Sequence, residues 1–396
     1  MRYKSQILLN ALDADNLRNL TALLDVIQPA MIVGGAVRNA LLHMPIKDVD
    51  IATGLTPKDV VDRVHKAGFK AIDTGIEHGT VTVVVNGTPY EVTTLRKDVK
   101  TYGRKAEVEF LTSNAPYPEI LDLFKIDAAR RDLTINAMYA DLHGNVFDFF
   151  DGMDDLKSKI VNFIGEPEQR IREDYLRILR FFRFSCYYAQ EFNIASLNAC
   201  YSLADGLNNI STERWTMEIV KILQHPFPWH TLEAMQSVLR AIGISLTTPS
   251  LTTPDNMLSM IDCIRSNEHK FDMQTSYEAR LAMFSGIEGL RLSAREQRRV
   301  HAIKSLTYLD TQTDIARWAI ASEDDRHFWD GIVMYDSSVD RNDIDHILHR
   351  ARSFDIKGSD LIQRGHTPGA KLGQALKALH MQYCLTKCTR EDLLKN

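Results

Sequence analysis

The chain has 396 residues, 44% hydrophobic and 25% charged, enough to bury one or more cores and too apolar for a disordered chain. Its formal net charge of −5 argues against a nucleic-acid partner held by bulk electrostatics, so such a partner would have to meet local positive surfaces. No segment approaches the ~18 consecutive apolar residues of a membrane span, the opening MRYKSQILLNALDADNLRNL is charged throughout, unlike a signal peptide, and five irregularly spaced cysteines do not make a secreted disulfide framework; a soluble, cytoplasmic protein is expected.

In chain order, an amphipathic opening helix leads to AMIVGG, a strand ending in a turn, then AVRNALLH, a helix, and DVDIATG, a strand. TPKDVVDRVHKAGF has Thr56 as N-cap, Pro57 at the first helical position and Gly68 as its stop. TVTVVVNGTPYEVTTLR holds two β-branched runs around Asn86-Gly87, a hairpin signal. From about Leu156 the pattern turns helical, with EQRIREDYLRILRFFRFS, STERWTMEIVKILQ, WHTLEAMQSVLRAIG and EARLAMFSGIEGL carrying apolar residues at three-and-four spacing, and no comparable strand run returns. Joints are expected around Pro226 and Pro228 and in TTPSLTTPDN, and FDIKGSDLIQRGHTPGAKLGQALKALH opens a last compact unit. The expected fold class is α+β, a small mixed α/β head followed by an all-helical remainder. Cys384 and Cys388 have helical spacing and read as a reduced helix face, since no His or Cys pair stands near them.

Asp48 and Asp50 flank Val49, and on a strand such residues project from one face, so two carboxylates converge at a point suited to Mg²⁺. Two metals ~3.5–4 Å apart can activate an attacking hydroxyl and stabilise a leaving phosphate. A lone DxD is more often surface charge; its surroundings sharpen it. Gly34 and Gly35 end a strand and open a helix carrying Arg38, where a triphosphate can approach the backbone and give its charge to N–H groups and a guanidinium. Separately these are a tight turn and a surface side chain, a reading that leaves the whole of GGAVRNALLHMPIKDVDIAT unexplained. Glu91 is either a third acid near the metals or a satisfied strand carboxylate, and His78 reads as structural.

GGAVRN and DVD, followed in order by RRDLTINA, FFDGMDDL, EDYLRILRFFRF and STERWTMEI, resemble the nucleotidyltransferase signature of the polymerase β superfamily, specifically the class II tRNA nucleotidyltransferases (CCA-adding enzymes) and their bacterial poly(A) polymerase relatives. The resemblance is dense over roughly the first 220 residues and returns in FDIKGSDLIQRGHTPGAKLGQAL. It implies a nucleotidyltransferase head at 1–151, a helical neck with a nucleotide-reading helix at 152–224, a helical body at 225–350 and a tRNA-binding tail at 351–396. It also implies template-independent addition of CCA to the tRNA 3′ end from CTP and ATP, with Asp48 and Asp50 holding Mg²⁺ and no obligate protein partner. Family members usually carry Asp where this chain has Asn39, so no ionic role is expected there.

Asp174, Arg177, Arg180 and Arg183 recur at intervals of three and form a stripe on one helix face. Spacing alone favours an ordinary salt-bridged surface helix. Chemistry offers more: Asp accepts only and Arg donates only, while adenine and cytosine each present an amine beside an unprotonated ring nitrogen. An Asp opposite the amine and an Arg opposite the ring nitrogen would accept A and C and refuse G and U, whose groups would be left unpaired. The resemblance implies the same, with Arg180 and Arg183 nearer the triphosphate, Arg130, Arg131 and Asp132 contacting the nucleotide, and Glu213, Arg214 and Glu218 steadying the reading helix. Two basic clusters, Arg170 to Arg183 and Arg291 to Lys304, are candidate positive surfaces or solvated helix faces, and Phe181, Phe182, Phe184, Tyr187 and Tyr188 are expected to pack the core.

An A-adding relative would lack part of the flexible loop expected at RKDVKTYGRKAEVEFLTSNAPYPEI, which is long here; a poly(A) polymerase relative would carry a further basic-apolar segment, which is not seen between Thr74 and Arg96. A non-catalytic RNA-binding descendant would have lost Asp48, Asp50 or Asp174, and all three stand. No HD-type phosphohydrolase pattern is visible in the helical half.

Overall fold

The computed structural model describes residues 2–4, 11–102, 105–115, 117–246, 257–306, 309, 311–335 and 339–395. The chain divides into two compact units, Met1–Glu218 and Ile219–Asn396.

The first unit is built on an eight-stranded mixed sheet. Its strands are β1 (Arg2–Lys4), β2 (Ala30–Val33), β3 (Asp50–Thr53), β4 (Lys70–Gly75), β5 (Thr80–Val85), β6 (Thr88–Thr94), β9 (Tyr139–Ala140) and β10 (Asn145–Phe147); β7 (Arg96–Tyr102) and β8 (Lys105–Phe110) pair separately. The order is β1-β10-β9-β2-β3-β6-β5-β4, and among the described pairs only β3 and β6 run parallel. Strand β2, AMIV, is buried at all four positions, as an uninterrupted apolar run in a central strand must be, whereas β5, TVTVVV, alternates because one of its faces is less covered. Asn86 and Gly87 both take positive φ, 49° and 86°, the tight turn that their sequence signals.

Helix α1 (Ala14–Val26) is capped by the Asp13 side chain. Helix α2 (Gly35–Leu41) follows the glycine turn, and α3 (Pro57–Lys66) has the Thr56 cap and Pro57 start expected of it. Next come α4 (Leu121–Ala129), α5 (Gly152–Ser158), α6 (Pro167–Glu173), α7 (Leu176–Tyr188), α8 (Ile194–Ser202) and α9 (Thr212–Leu223).

Several expectations change. Strand β3 begins at Asp50, so Asp48 lies in the irregular segment before the ladder and not on it. The segment expected as a flexible loop contains the antiparallel ribbon β7–β8, because its alternating residues let two neighbouring runs satisfy each other's backbone groups. The expected single helix through EDYLRILRFFRF is broken: Asp174 is extended at φ −154° and ends α6, and α7 starts at Leu176. The break is wedged by Tyr175, whose ring lies so close to Gly206 that a Cβ there would stand 2.0 Å from it.

The second unit is helical, with Ser293 and Glu296 forming a capping box at the head of Ala294–Lys304. Among its described residues is a pair of two-residue strands, Ser245–Leu246 and Phe284–Ser285, which falls below what periodicity can register. Its last part has a small core of Ile356, Leu361, Leu393 and Leu394. Cys384 is buried within Ala370–Leu385, but Cys388 lies beyond that helix, so the two do not share a helix face. The joint expected at 247–256 lies outside the described residues. No helix among the described residues is long and apolar enough to cross a membrane.

Candidate active site

In the register of the central strands, Asp50 stands opposite Val33 of β2 on one side and Glu91 of β6 on the other. Val33 is the last residue before the glycine turn, so the turn and the first strand aspartate lie at the same edge of adjacent strands. Gly34 has φ 74° and ψ −126°, a conformation that L side chains rarely adopt. Its N–H donates to the Met138 carbonyl, fixing the turn against the segment that follows RRD. A Cβ on Gly34 would lie 3.7 Å from Arg131 Nη1, and one on Gly35 3.5 Å from Arg38 Nη2. Two guanidiniums therefore flank the turn.

Arg38 is only 7% exposed. It donates to Asn136 Oδ1 through Nη1 and to Asn39 Oδ1 through Nε (3.2 Å) and Nη2 (2.9 Å), and its guanidinium lies 4.3 Å from the Tyr188 ring centre and 5.1 Å from that of Phe184. Burial depresses its pKa. Asn39 also donates to the Pro45 carbonyl (3.0 Å) and accepts from the Tyr188 hydroxyl (3.3 Å), so this side chain orients Arg38 without adding charge.

The RRD segment hangs on Asp127, which neither motif nor resemblance singles out. In the last turn of α4 and 1% exposed, it accepts from Arg130 Nε (2.8 Å), Arg131 Nη2 (3.2 Å) and the Tyr139 hydroxyl (2.6 Å). Burial alone would raise its pKa, yet Arg130 and Arg131 hold it low. Its spacing of three and four from two arginines was the available signal. Asp132 accepts from its neighbour's amide, Leu133 N (2.9 Å), and from Arg180 Nε (2.5 Å). Burial pushes this carboxyl up, but the charge and hydrogen bond of Arg180, then Arg177, bring it down to about 2.

The Arg177 amide donates to the Asp174 carbonyl (2.9 Å), while their side chains take other partners. Asp174 accepts from Arg214 through Nη2 (2.6 Å) and Nη1 (3.3 Å) and from the amide of Leu176 (3.1 Å). Arg177 donates to Glu173 (2.5 Å) and to the carbonyls of Arg170 and Arg130 (both 3.0 Å). Arg183 pairs with the buried Glu218 at 2.5 Å. The first basic cluster is thus largely neutralised, by Glu173, Glu168, Asp132 and Glu218; in the second, Arg295, Arg298 and Arg299 face Glu323, Asp324 and Glu278. Phe181 and Phe182 are fully buried, whereas Phe184 lies 4.1 Å from the Arg183 guanidinium and Tyr188 covers Arg38, so these two rings pack against the site's cations. His78 is exposed beside Glu77.

Desolvation, then the charges of Glu91 and Asp48, raise the Asp50 carboxyl above the usual range, with Arg131 pulling the other way. Such crowding of anions, all of them hard oxygen donors, fits a divalent cation such as Mg²⁺. Among the described residues no three His, Cys, Asp or Glu side chains are arranged as a ready metal cluster.

The poly A polymerase head domain family matches residues 30–162, and a second family, described as "Probable RNA and SrmB- binding site of polymerase A", matches 191–238. The human mitochondrial CCA tRNA nucleotidyltransferase 1 is 44% identical over 196 residues, 48% of this chain but 43% of that protein, so the match spans less than half of the human relative. The CCA-adding enzyme of Streptococcus gordonii is 33% identical over 371 residues, 88% of each chain. The CCA-adding enzyme of Bacillus stearothermophilus, solved in complex with CTP, superposes over 97% of each chain with a TM-score of 0.67 and 25% identity. The chain belongs to the family of CCA-adding enzymes, the class II tRNA nucleotidyltransferases.

Proposed function

We propose that this protein adds CCA to the 3′ end of tRNA, taking CMP and AMP units from CTP and ATP. The observation that carries this reading is the shared edge at which the Gly34-Gly35 turn, flanked by Arg38 and Arg131, meets Asp50: a cradle for a triphosphate beside carboxylates. The tRNA 3′-hydroxyl oxygen attacks the α-phosphorus, the bond to the bridging oxygen of the β-phosphate breaks, and pyrophosphate leaves with one proton released. Asp48 and Asp50 would hold Mg²⁺, which when bound lowers the pKa of the attacking hydroxyl and offsets charge on the phosphates. Arg38, Arg131, Arg180 and Arg183 receive the triphosphate, Arg130 supports it through Asp127, and Asp132 can accept from a ribose hydroxyl.

Base choice falls to Asp174 and Arg177, each held by a partner that leaves further hydrogen-bonding capacity, Arg214 for the first and Glu173 for the second. The helical unit and its tail grip the tRNA by shape and phosphate rather than by sequence, and the setting is the cytoplasm. Incubation with tRNA lacking its terminus and with labelled CTP or ATP tests this: two C and then one A should be incorporated. A-only addition, a long A tail or no incorporation would each replace this reading.

A further inference from the structure

Three arginines of the site meet at one phenylalanine. The centre of the Phe184 ring, a side chain only 7% exposed, lies 4.1 Å from the Arg183 guanidinium, 5.1 Å from that of Arg38 and 5.3 Å from that of Arg180. Arg180, Arg183 and Phe184 belong to α7, at spacings of three and four that bring them together on its surface, whereas Arg38 comes from α2 behind the glycine turn. A second ring, Tyr188, stacks on Phe184 at 6.0 Å and 23° and lies 4.3 Å from Arg38, its hydroxyl donating to Asn39.

Guanidiniums gathered so closely repel one another. Burial lowers the pKa of Arg38 and the charge of Arg183 lowers it further, with Tyr188 and Asp132 acting the other way. Asp132 pairs with Arg180 and Glu218 with Arg183, while the hydrogen bonds of Arg38 go to the neutral Asn39 and Asn136. The face of an aromatic ring is negative and attracts a cation, more strongly where both are desolvated. Phe184 supplies that attraction without a carboxylate. For an anionic substrate the difference matters: a further Asp or Glu would hold the arginines but repel phosphate and compete for their N–H groups, whereas an uncharged ring neither repels phosphate nor offers a rival acceptor oxygen.

We propose that Phe184 is a positioning residue for the triphosphate, its ring face holding Arg38, Arg180 and Arg183 together as one cationic cradle before the nucleotide arrives. The phosphates then do not have to gather the arginines on binding, and the affinity otherwise lost to that ordering is kept. The inference rests on the nucleotidyltransferase reading above. It assigns part of the affinity for phosphate to a side chain that acts only through the arginines.

The test replaces Phe184 in the full chain, by nonsense suppression at that position alone, with phenylalanines carrying one, two and three ring fluorines. Fluorine draws charge from the ring face and barely alters the ring's shape, so packing persists while the attraction fades stepwise. Equilibrium binding of CTP, inorganic tripolyphosphate and cytidine is measured for each protein and for Phe184→Leu, beside labelled-CTP incorporation by the parent, and thermal unfolding establishes that each is folded. The expected result is a fall in CTP and tripolyphosphate affinity with every added fluorine, reaching roughly threefold to thirtyfold in the trifluorinated protein, with cytidine affinity unchanged. F184L should lose at least as much; if it does not fold, the fluorinated series decides alone. Parental affinity throughout that series, whatever F184L does, would reduce the ring to ordinary packing and overturn the proposal. So would an equal loss for cytidine, which would report a general distortion of the site. In either case incorporation by the parent would leave the nucleotidyltransferase reading standing, whereas a parent that neither binds CTP nor adds C would overturn that reading and this proposal together.

Discussion

Arg214 grips Asp174 with both terminal guanidinium nitrogens, at 2.6 and 3.3 Å, across forty residues of chain. The pairing keeps the Asp174 carboxylate turned as an acceptor at the break between α6 and α7. If Asp174 and Arg177 define the permitted bases, Asp174→Ala and Arg177→Ala should each raise incorporation of GTP or UTP relative to CTP and ATP. A missing buried hydrogen bond costs about 1–3 kcal/mol, so selectivity should fall roughly tenfold to a hundredfold, with slower correct addition. Arg214→Ala should reproduce a weaker form of the Asp174 effect. All four nucleotides should be assayed on tRNA ending before C, after one C and after two; variants that refuse G and U as strictly as the parent would assign base choice elsewhere.

Asp48→Ala or Asp50→Ala should abolish addition of both C and A while folding and tRNA binding persist, since Asp50 sits at the exposed start of its strand and Asp48 before it. Incorporation and tRNA binding are measured side by side. Near-normal incorporation by either variant would remove that residue from the catalytic centre.

Asp132 gives a pH dependence of defined sign. Its folded pKa of about 2 lies below the ordinary 3.8, so its contribution to stability is fully present above about pH 4 and is lost as pH falls through 2. The difference corresponds to roughly 2 kcal/mol. Denaturant unfolding between pH 4 and pH 2 should lose part of its slope in Asp132→Asn; an unchanged profile would mean that Arg180 does not depress this carboxyl.

For the tail, Lys371 and Lys377 are exposed on the helix Ala370–Leu385. Replacing both by Glu should weaken tRNA binding and make its salt dependence shallower, since every phosphate that is no longer neutralised takes about 0.7–0.9 off the slope of log affinity against log salt. Unchanged affinity and slope would take this helix out of the tRNA-binding surface.

Much was legible along the chain because it depends on near neighbours. The Asn86-Gly87 hairpin, the Thr56-Pro57 helix start and the buried strand at Ala30–Val33 follow from dihedral preferences and periodicity within a few residues. The ordered motifs Gly34-Gly35-Arg38, Asp48/Asp50 and Arg130-Arg131-Asp132 could likewise be read as a set.

Tertiary structure decided the rest. Periodicity runs one helix through Asp174, but Tyr175 packing on Gly206 and the pull of Arg214 break it there, and neither partner is near in sequence. The stripe of arginines reads as a positive face until Glu173, Asp132 and Glu218 arrive to pair with it. Asp127 and Asn136 carry ordinary local signals; one anchors the RRD arginines and the other meets Arg38 from 98 residues away. Spacing along a chain determines which side chains share an element's face, but a side chain's charge is balanced by whatever the fold brings within a few ångströms, and that is set by packing between elements.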